Sequence, residues 1–129
     1  MERIEKQMQF ILEIDKEKQI KRKTLQSNGK DFEDDAQHAW HMAIMTLLLS
    51  EYANEKVDVL KTISMLLIHD LVEIDAGDTY AYDDQGLKTQ NERENLAANR
   101  IFNLLPEDQA KKVLSLIHIS EPTRRSYIS

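Results

Sequence analysis

One apolar stretch decides the fold: residues 57–74, which read VDVLKTISMLLIHDLVEI. Its valine, leucine, isoleucine and methionine residues leave almost no polar face, which predicts a helix from about Val57 to Ile74. Because no face of such a helix favours water, we expect it to lie at the heart of the core. Two adjacent ionisable residues, His69 and Asp70, interrupt the apolar pattern, and Glu73 follows one helical turn later.

Helical patterns also precede this stretch. Apolar residues repeat among charges from the start of the chain until a stop signal, Asn-Gly, at residues 28–29, which predicts an amphipathic helix over about residues 2–25. Asp34 or Asp35 can cap a second helix that runs to about residue 53. That helix is apolar most of the way round, so we expect it to be central.

The second half of the chain predicts a loop and two more helices. Residues 75–88 have no sustained period and are typical of a long loop. Thr89 followed by Glu92 is a capping-box pattern, which predicts a helix that runs to Pro106, and a fifth helix is predicted over about residues 107–116. The chain is therefore predicted to be all-α, a bundle of about five helices.

Composition excludes several classes of protein. The chain has 129 residues and no cysteine, which excludes disulfide frameworks, thiol nucleophiles and cysteine-based metal sites. It has no apolar run that could span a membrane and no signal-peptide pattern at its start, so we expect no membrane partner and a cytoplasmic location. A formal charge of −6 opposes binding to polymeric nucleic acid.

The ionisable residues in the apolar segments are candidates for chemistry. A buried carboxylate costs several kcal/mol unless it is paired, hydrogen-bonded or bound to a metal, and this applies to Asp70. His38 would add a nitrogen ligand if the second and third helices cross. Two imidazoles and a carboxylate suit one divalent transition metal ion: Mn, Co, Fe, Ni or Zn. The alternative is that His69 is a core histidine with an acidic partner and that His38 is a satisfied core residue, and spacing alone favours neither reading.

Two sequence motifs together resemble a known family. Residues 36–41 read AQHAWH, and residues 67–79 read LIHDLVEIDAGDT. This combination resembles the HD-domain metal-dependent phosphohydrolases and is closest to the branch that contains the 5′-deoxynucleotidases. The likeness runs over about residues 2–114. It implies hydrolysis of small phosphate monoesters, such as (deoxy)nucleoside 5′-monophosphates.

The resemblance implies a metal site and a catalytic group. His38, His69 and Asp70 fall where the family binds one divalent metal ion. Glu73 matches the family's catalytic acid, which exchanges a proton with the attacking water or the leaving alkoxide, and the alternative is a simple charge partner.

Two further residues match substrate contacts of the family. Arg22 matches an arginine that contacts phosphate, although an exposed arginine near a helix end would look the same in the sequence. Asp78 matches a residue that contacts the sugar, and the alternative is that it caps the turn after Gly77. Lys23 stands where deoxynucleotidases of this type can have a tryptophan, so selectivity for 2′-deoxy substrates stays open.

The chain departs from the family after residue 114. Family members continue through further helices that bring a final metal-ligating aspartate. Residues 115–129 instead resemble a read-through or adapter-derived end that is unrelated to the domain. We therefore expect an HD domain over residues 1–114 that is incomplete at its C-terminus, followed by an atypical tail that is not native to the domain. Such a fragment would bind metal weakly, form a homodimer through exposed apolar surface, or be inactive. The competing hypothesis is a non-catalytic helical module for nucleotide sensing or self-association.

Overall fold

Helices form most of the chain, and one small sheet accompanies them. The computed structural model describes residues 1–77 and 84–128, and it describes side chains at residues 1–77 and 90–117. The helices are α1 (Arg3–Ile14), α2 (Asp35–Leu49), α3 (Val59–Ile68), α4 (Glu73–Ala76), α5 (Asp84–Phe102) and α6 (Glu107–Ile128). The strands are β1 (Lys21–Leu25) and β2 (Phe32–Asp34), and 3₁₀ turns occupy Asp15–Gln19, Ser50–Tyr52 and His69–Val72. Apart from the single turn of α4, these are five helices, which confirms the predicted all-α bundle.

The first predicted helix, over residues 2–25, is wrong in its second half. Helix α1 ends at Ile14, and β1 instead pairs antiparallel with β2. The reason is the Asn28-Gly29 turn between the strands. Gly29 has a φ of 71°, and the Asn28 side chain accepts hydrogen bonds from the backbone N–H groups of Lys30 and Asp31. Residues that favour a hairpin turn therefore override a weak helical pattern.

The start of the second helix is confirmed at Asp34. Its side chain accepts a hydrogen bond of 2.8 Å from the backbone N–H of Gln37, and the Gln37 side chain accepts one of 3.0 Å from the backbone N–H of Asp34. This reciprocal pair is a capping box. The prediction that α2 is central is wrong, because Trp40 and Leu48 are each 64% exposed. The apolar pattern did not show which faces of the helix have a partner.

The decisive apolar stretch is broken into three elements, so the predicted continuous helix over residues 57–74 is wrong. Helix α3 ends at Ile68, a 3₁₀ turn follows over His69–Val72, and α4 completes the segment. The predicted central position holds only for the later part: Leu71 and Val72 are buried, whereas no residue of α3 is. The tighter turn redirects His69 and Asp70 relative to the helix before them.

The core lies where this 3₁₀ turn meets α5. Its buried members are Leu71, Val72, Ala97, Ala98, Ile101 and Phe102. The ring of Phe10 on α1 packs against Phe102, with centroids 6.1 Å apart. The residues on either side of His69-Asp70 are therefore held by the core, which fixes the backbone of the candidate site.

The C-terminal half differs from the prediction in its boundaries. Helix α5 begins at Asp84, so Thr89 lies inside a helix and the predicted capping box is wrong, as is the predicted loop for residues 84–88. Within the same predicted loop, residues 75–76 belong to α4, so the prediction is wrong there too, and residues 78–83 lie outside the described residues. Helix α6 continues to Ile128 instead of ending near residue 116, and Ile117 packs partly against the core. The domain boundary at residue 114 and the foreign origin of the tail stay predictions.

Within the described part of the chain, no helix combines the length and the apolarity needed to cross a bilayer.

Candidate metal centre

Three buried carboxylates meet beneath the N-terminus of α2. Asp35 lies in the first turn of α2, Asp70 in the 3₁₀ turn after α3, and Glu73 at the start of α4. Each has a carboxylate oxygen within 4.8 Å of the others, and all three residues are buried. The prediction selected Asp70 and Glu73 for this region, and the structure brings them together with a third residue, Asp35, that was considered only as a helix cap.

His69 is oriented by the backbone of α3. Its Nδ1 lies 3.0 Å from the carbonyl oxygen of Leu66, which can only accept, so Nδ1 carries the hydrogen. The other nitrogen, Nε2, lies 3.2 Å from Oδ1 of Asp70. A neutral imidazole in this tautomer would face a carboxylate oxygen with a lone pair, so a proton or a metal cation is needed between them. Two ligand atoms of one metal ion lie about 3 Å apart, a spacing that this pair matches.

The ring of His38 is also oriented by a hydrogen bond at Nδ1, here with the side chain of Glu33. Its Nδ1 lies 2.9 Å from Oε1 of Glu33, an acceptor, so Nδ1 donates and Nε2 keeps its lone pair. Histidines that bind metals are commonly held in this way, by a carboxylate or carbonyl on the second nitrogen. The residues whose candidate ligand atoms lie within 4.8 Å of one another are Asp35, Asp70 and Glu73, and this group includes neither His38 nor His69. Its assignment as a metal ligand stays a prediction, and so does that of His69 and Asp70.

Arg22 supplies a positive charge to the group. Its Nη1 lies 3.2 Å from Oδ1 of Asp35 and 3.6 Å from Oδ2 of Asp70. Burial would lower the pKa of Arg22, but the charges of Asp70 and Asp35 raise it overall, so the guanidinium stays charged. The structure thus places Arg22 against the carboxylates, on the inward side of β1. Its contact with phosphate stays a prediction.

Sequence reasoning missed Glu17 altogether. This residue lies in the 3₁₀ turn Asp15–Gln19 among lysines, where a charged run is normally solvated, and the sequence holds no signal to the contrary. In the structure it is only 7% exposed. Burial, and then the charges of Asp70 and Asp35, raise the pKa of Glu17 to about 7.

Burial also acts on Asp35. It raises the pKa of this carboxyl above the ordinary value; a hydrogen bond with Glu73 opposes the increase, and the charge of Asp70 adds to it. One proton shared between Asp35 and Glu73 accounts for two carboxyl groups lying so close together. Asp35 therefore keeps its proton to a higher pH than an exposed aspartic acid does.

The residues present fit a divalent cation. Four carboxyl groups, those of Glu17, Asp35, Asp70 and Glu73, are buried here, and Arg22 pairs with two of them, Asp35 and Asp70. Among the described residues, no hydrogen-bond donor reaches Oδ2 of Asp35 or Oδ2 of Asp70. Buried acceptors without donors are costly, and a metal ion would satisfy them. Carboxylate oxygens with imidazole nitrogens nearby suit a divalent ion, without selecting which one.

One predicted site residue cannot be placed. Asp78, the expected sugar contact, lies outside the described residues. Its role stays a prediction.

Comparison with known proteins agrees with this fold. A family model described as the HD domain matches residues 14–126. The chain belongs to this family. A predicted metal-dependent phosphohydrolase from Magnetospirillum magnetotacticum MS-1 is 48% identical, with a TM-score of 0.84 over 93% of this chain. The chain spans 60% of that protein's length. No curated protein matches the chain.

Proposed function

We propose that this chain carries the metal-binding part of a metal-dependent phosphohydrolase that acts on small phosphate monoesters. The observation that supports this most is the buried carboxylate group beside the His69–Asp70 pair, within an HD domain. The similarity to a predicted metal-dependent phosphohydrolase points in the same direction. A cytoplasmic location and the absence of polymeric nucleic acid as a partner stay predictions.

The proposed ligands are His38, His69 and Asp70, with one divalent ion of Mn, Co, Fe, Ni or Zn. When bound, the ion supplies Lewis-acid activation of a phosphoryl oxygen and of a water molecule. His69 and His38 each donate Nδ1–H to a fixed acceptor, so their Nε2 atoms are held ready without a change of rotamer. Both histidines are thus oriented before any ligand binds.

Glu73 is the proposed proton carrier. It is 4% exposed and lies beside Asp35, with which it shares a hydrogen bond. A buried carboxyl group that shares a hydrogen bond with a second one can pass a proton on and take one from an attacking water. In the reaction, Glu73 would move a proton to the leaving oxygen of the phosphate monoester.

Arg22 is the proposed contact for the phosphate group. Its guanidinium is held on the carboxylates by Nη1, while Nε is buried and has no hydrogen-bond partner among the described residues. A phosphate oxygen would satisfy that N–H and complete a charge-assisted hydrogen bond. Asp78 is the proposed contact for the sugar of a (deoxy)nucleoside 5′-monophosphate.

Release of phosphate from dAMP, AMP and p-nitrophenyl phosphate tests the proposal, with protein loaded with Mn²⁺ or Co²⁺. We expect hydrolysis that Glu73→Gln lowers by about 10²–10⁴-fold, the usual contribution of a general acid or base. The matched control is Glu107→Gln, since Glu107 is exposed on α6 and pairs with Lys111. Equal rates in wild type and Glu73→Gln would refute the role of Glu73. No hydrolysis of any monoester by wild type would refute the activity.

A non-catalytic module is the second candidate, and the exposed apolar surface of α2 and α3 favours it. Leu47, Leu48 and Leu60 are 55%, 64% and 78% exposed. A surface of this kind suits self-association, including a homodimer. If this function holds, Glu73→Gln leaves the sedimentation coefficient unchanged, and Leu48→Ser lowers it to that of a monomer.

A further inference from the structure

We propose that Glu17 is an additional residue of the metal centre, a buried carboxylate that strengthens the binding of the divalent cation there. This inference rests on the proposed function, because it assumes that the cation binds beside Asp70. It assigns a role to a residue outside both sequence motifs and outside the set of predicted ligands.

The 3₁₀ turn that holds Glu17 packs against the candidate metal centre. The turn Asp15–Gln19 contacts α2, α4 and β2, the elements that hold or adjoin the other carboxylates. Its remaining charged residues face outward, where Asp15 pairs with Lys18, and Lys16 pairs with Glu13 on α1. Glu17 is the charged side chain that this turn buries.

The surroundings of Glu17 are acidic. Its Oε1 is buried without a hydrogen-bond donor among the described residues. The charged groups that act on it are Asp70, Asp35 and Asp34, all of them acidic. The nearby cation, Arg22, pairs with Asp35 and Asp70 instead. Burial and these acidic neighbours disfavour the charged form of Glu17 unless a cation binds next to it.

Three of these carboxylates share a lack of hydrogen-bond donors among the described residues. Glu17, Asp35 and Asp70 come from three separate elements, and each has a buried carboxylate oxygen that no described donor reaches. A single divalent ion would compensate their charge and satisfy these acceptors together. An additional carboxylate close to a cation raises its affinity even where it does not touch the ion, since attraction in a buried site is weakly screened.

Titration calorimetry with Mn²⁺ tests the inference on the full chain. We expect Glu17→Gln, which keeps the shape and removes the charge, to raise the Kd for Mn²⁺ by about 10–100-fold, the usual effect of losing a group that supports a metal site. The matched control, Asp15→Asn, removes an exposed carboxylate from the same turn and should leave the Kd unchanged. Glu17→Asp keeps the charge, and its Kd for Mn²⁺ should lie between those of wild type and Glu17→Gln.

The outcomes separate this inference from the function on which it rests. If His69→Ala abolishes Mn²⁺ binding while Glu17→Gln binds as wild type does, the role of Glu17 is refuted and the metal centre stands. If wild type binds no Mn²⁺, both are refuted. Urea unfolding in EDTA checks that Glu17→Gln folds, and we expect it to be at least as stable as wild type. If it fails to fold, Glu17→Asp decides: a Kd within about tenfold of that of wild type supports the role of the charge, and a larger loss of binding refutes it.

Discussion

The raised pKa of Glu17 predicts that the metal-free protein loses stability as the pH rises. The folded state raises this pKa from an ordinary value of 4.5 to about 7, chiefly through burial. The folded protein therefore binds more protons than the unfolded chain between these values, so the free energy of unfolding is highest below the lower value and falls toward the upper one. At about 1.4 kcal/mol per pKa unit, the loss between pH 4.5 and about pH 7 is at most about 3.5 kcal/mol. We expect about 1–2 kcal/mol, because water screens part of the effect.

Urea unfolding in EDTA measures this loss in wild type and in Glu17→Gln. Between about pH 5 and about pH 8, wild type should lose about 1–2 kcal/mol more than the variant, because glutamine does not titrate. Asp35, whose pKa is also raised, titrates in both proteins, so the comparison removes most of its contribution. Asp15→Asn should follow the wild-type profile. Parallel pH profiles for wild type and Glu17→Gln would refute the reasoning.

Further predictions concern stability. Phe102→Ala removes a ring with 0% exposure from the core and should lower the free energy of unfolding by about 3–5 kcal/mol, measured with urea; a loss below about 1 kcal/mol would contradict the core assignment. Arg100→Ala breaks ion pairs with Glu13 and Asp75 at a half-exposed site and should cost about 1 kcal/mol, less in high salt; a loss that is independent of salt would contradict this. Arg22→Met leaves Asp35 and Asp70 without their cation and should cost about 3 kcal/mol in EDTA at neutral pH, whereas equal or higher stability would contradict the pairing.

The sequence predicts the helical class and part of the candidate site. An aspartate before an apolar segment predicts α2, and Asp34, one of the two expected capping residues, is the N-cap of this helix in the structure. Asp70 and Glu73 stood out because ionisable residues are rare in so apolar a stretch, and both prove to be buried. Residue chemistry at a cap or within an apolar run is a local property, so it can be recognised without the fold.

The rest depends on tertiary contacts that periodicity does not reveal. The pattern of α2 is apolar, yet Trp40 and Leu48 are exposed, since burial requires a packing partner. The break after Ile68 is a 3₁₀ turn, and the apolar pattern of the stretch does not indicate it. Glu17 looked like one charge among several, and only the packing of its turn against α2 and α4 shows that it is buried.

Metal content after loading tests the central claim most directly. Wild type and His69→Ala would be incubated with Mn²⁺, desalted and analysed for metal per chain, with Asp15→Asn as the control. A metal centre at His69 and Asp70 predicts about one Mn²⁺ per chain in wild type and the control, and loss of the metal in His69→Ala. Equal metal content in wild type and His69→Ala, whether high or negligible, would contradict a metal centre at this position.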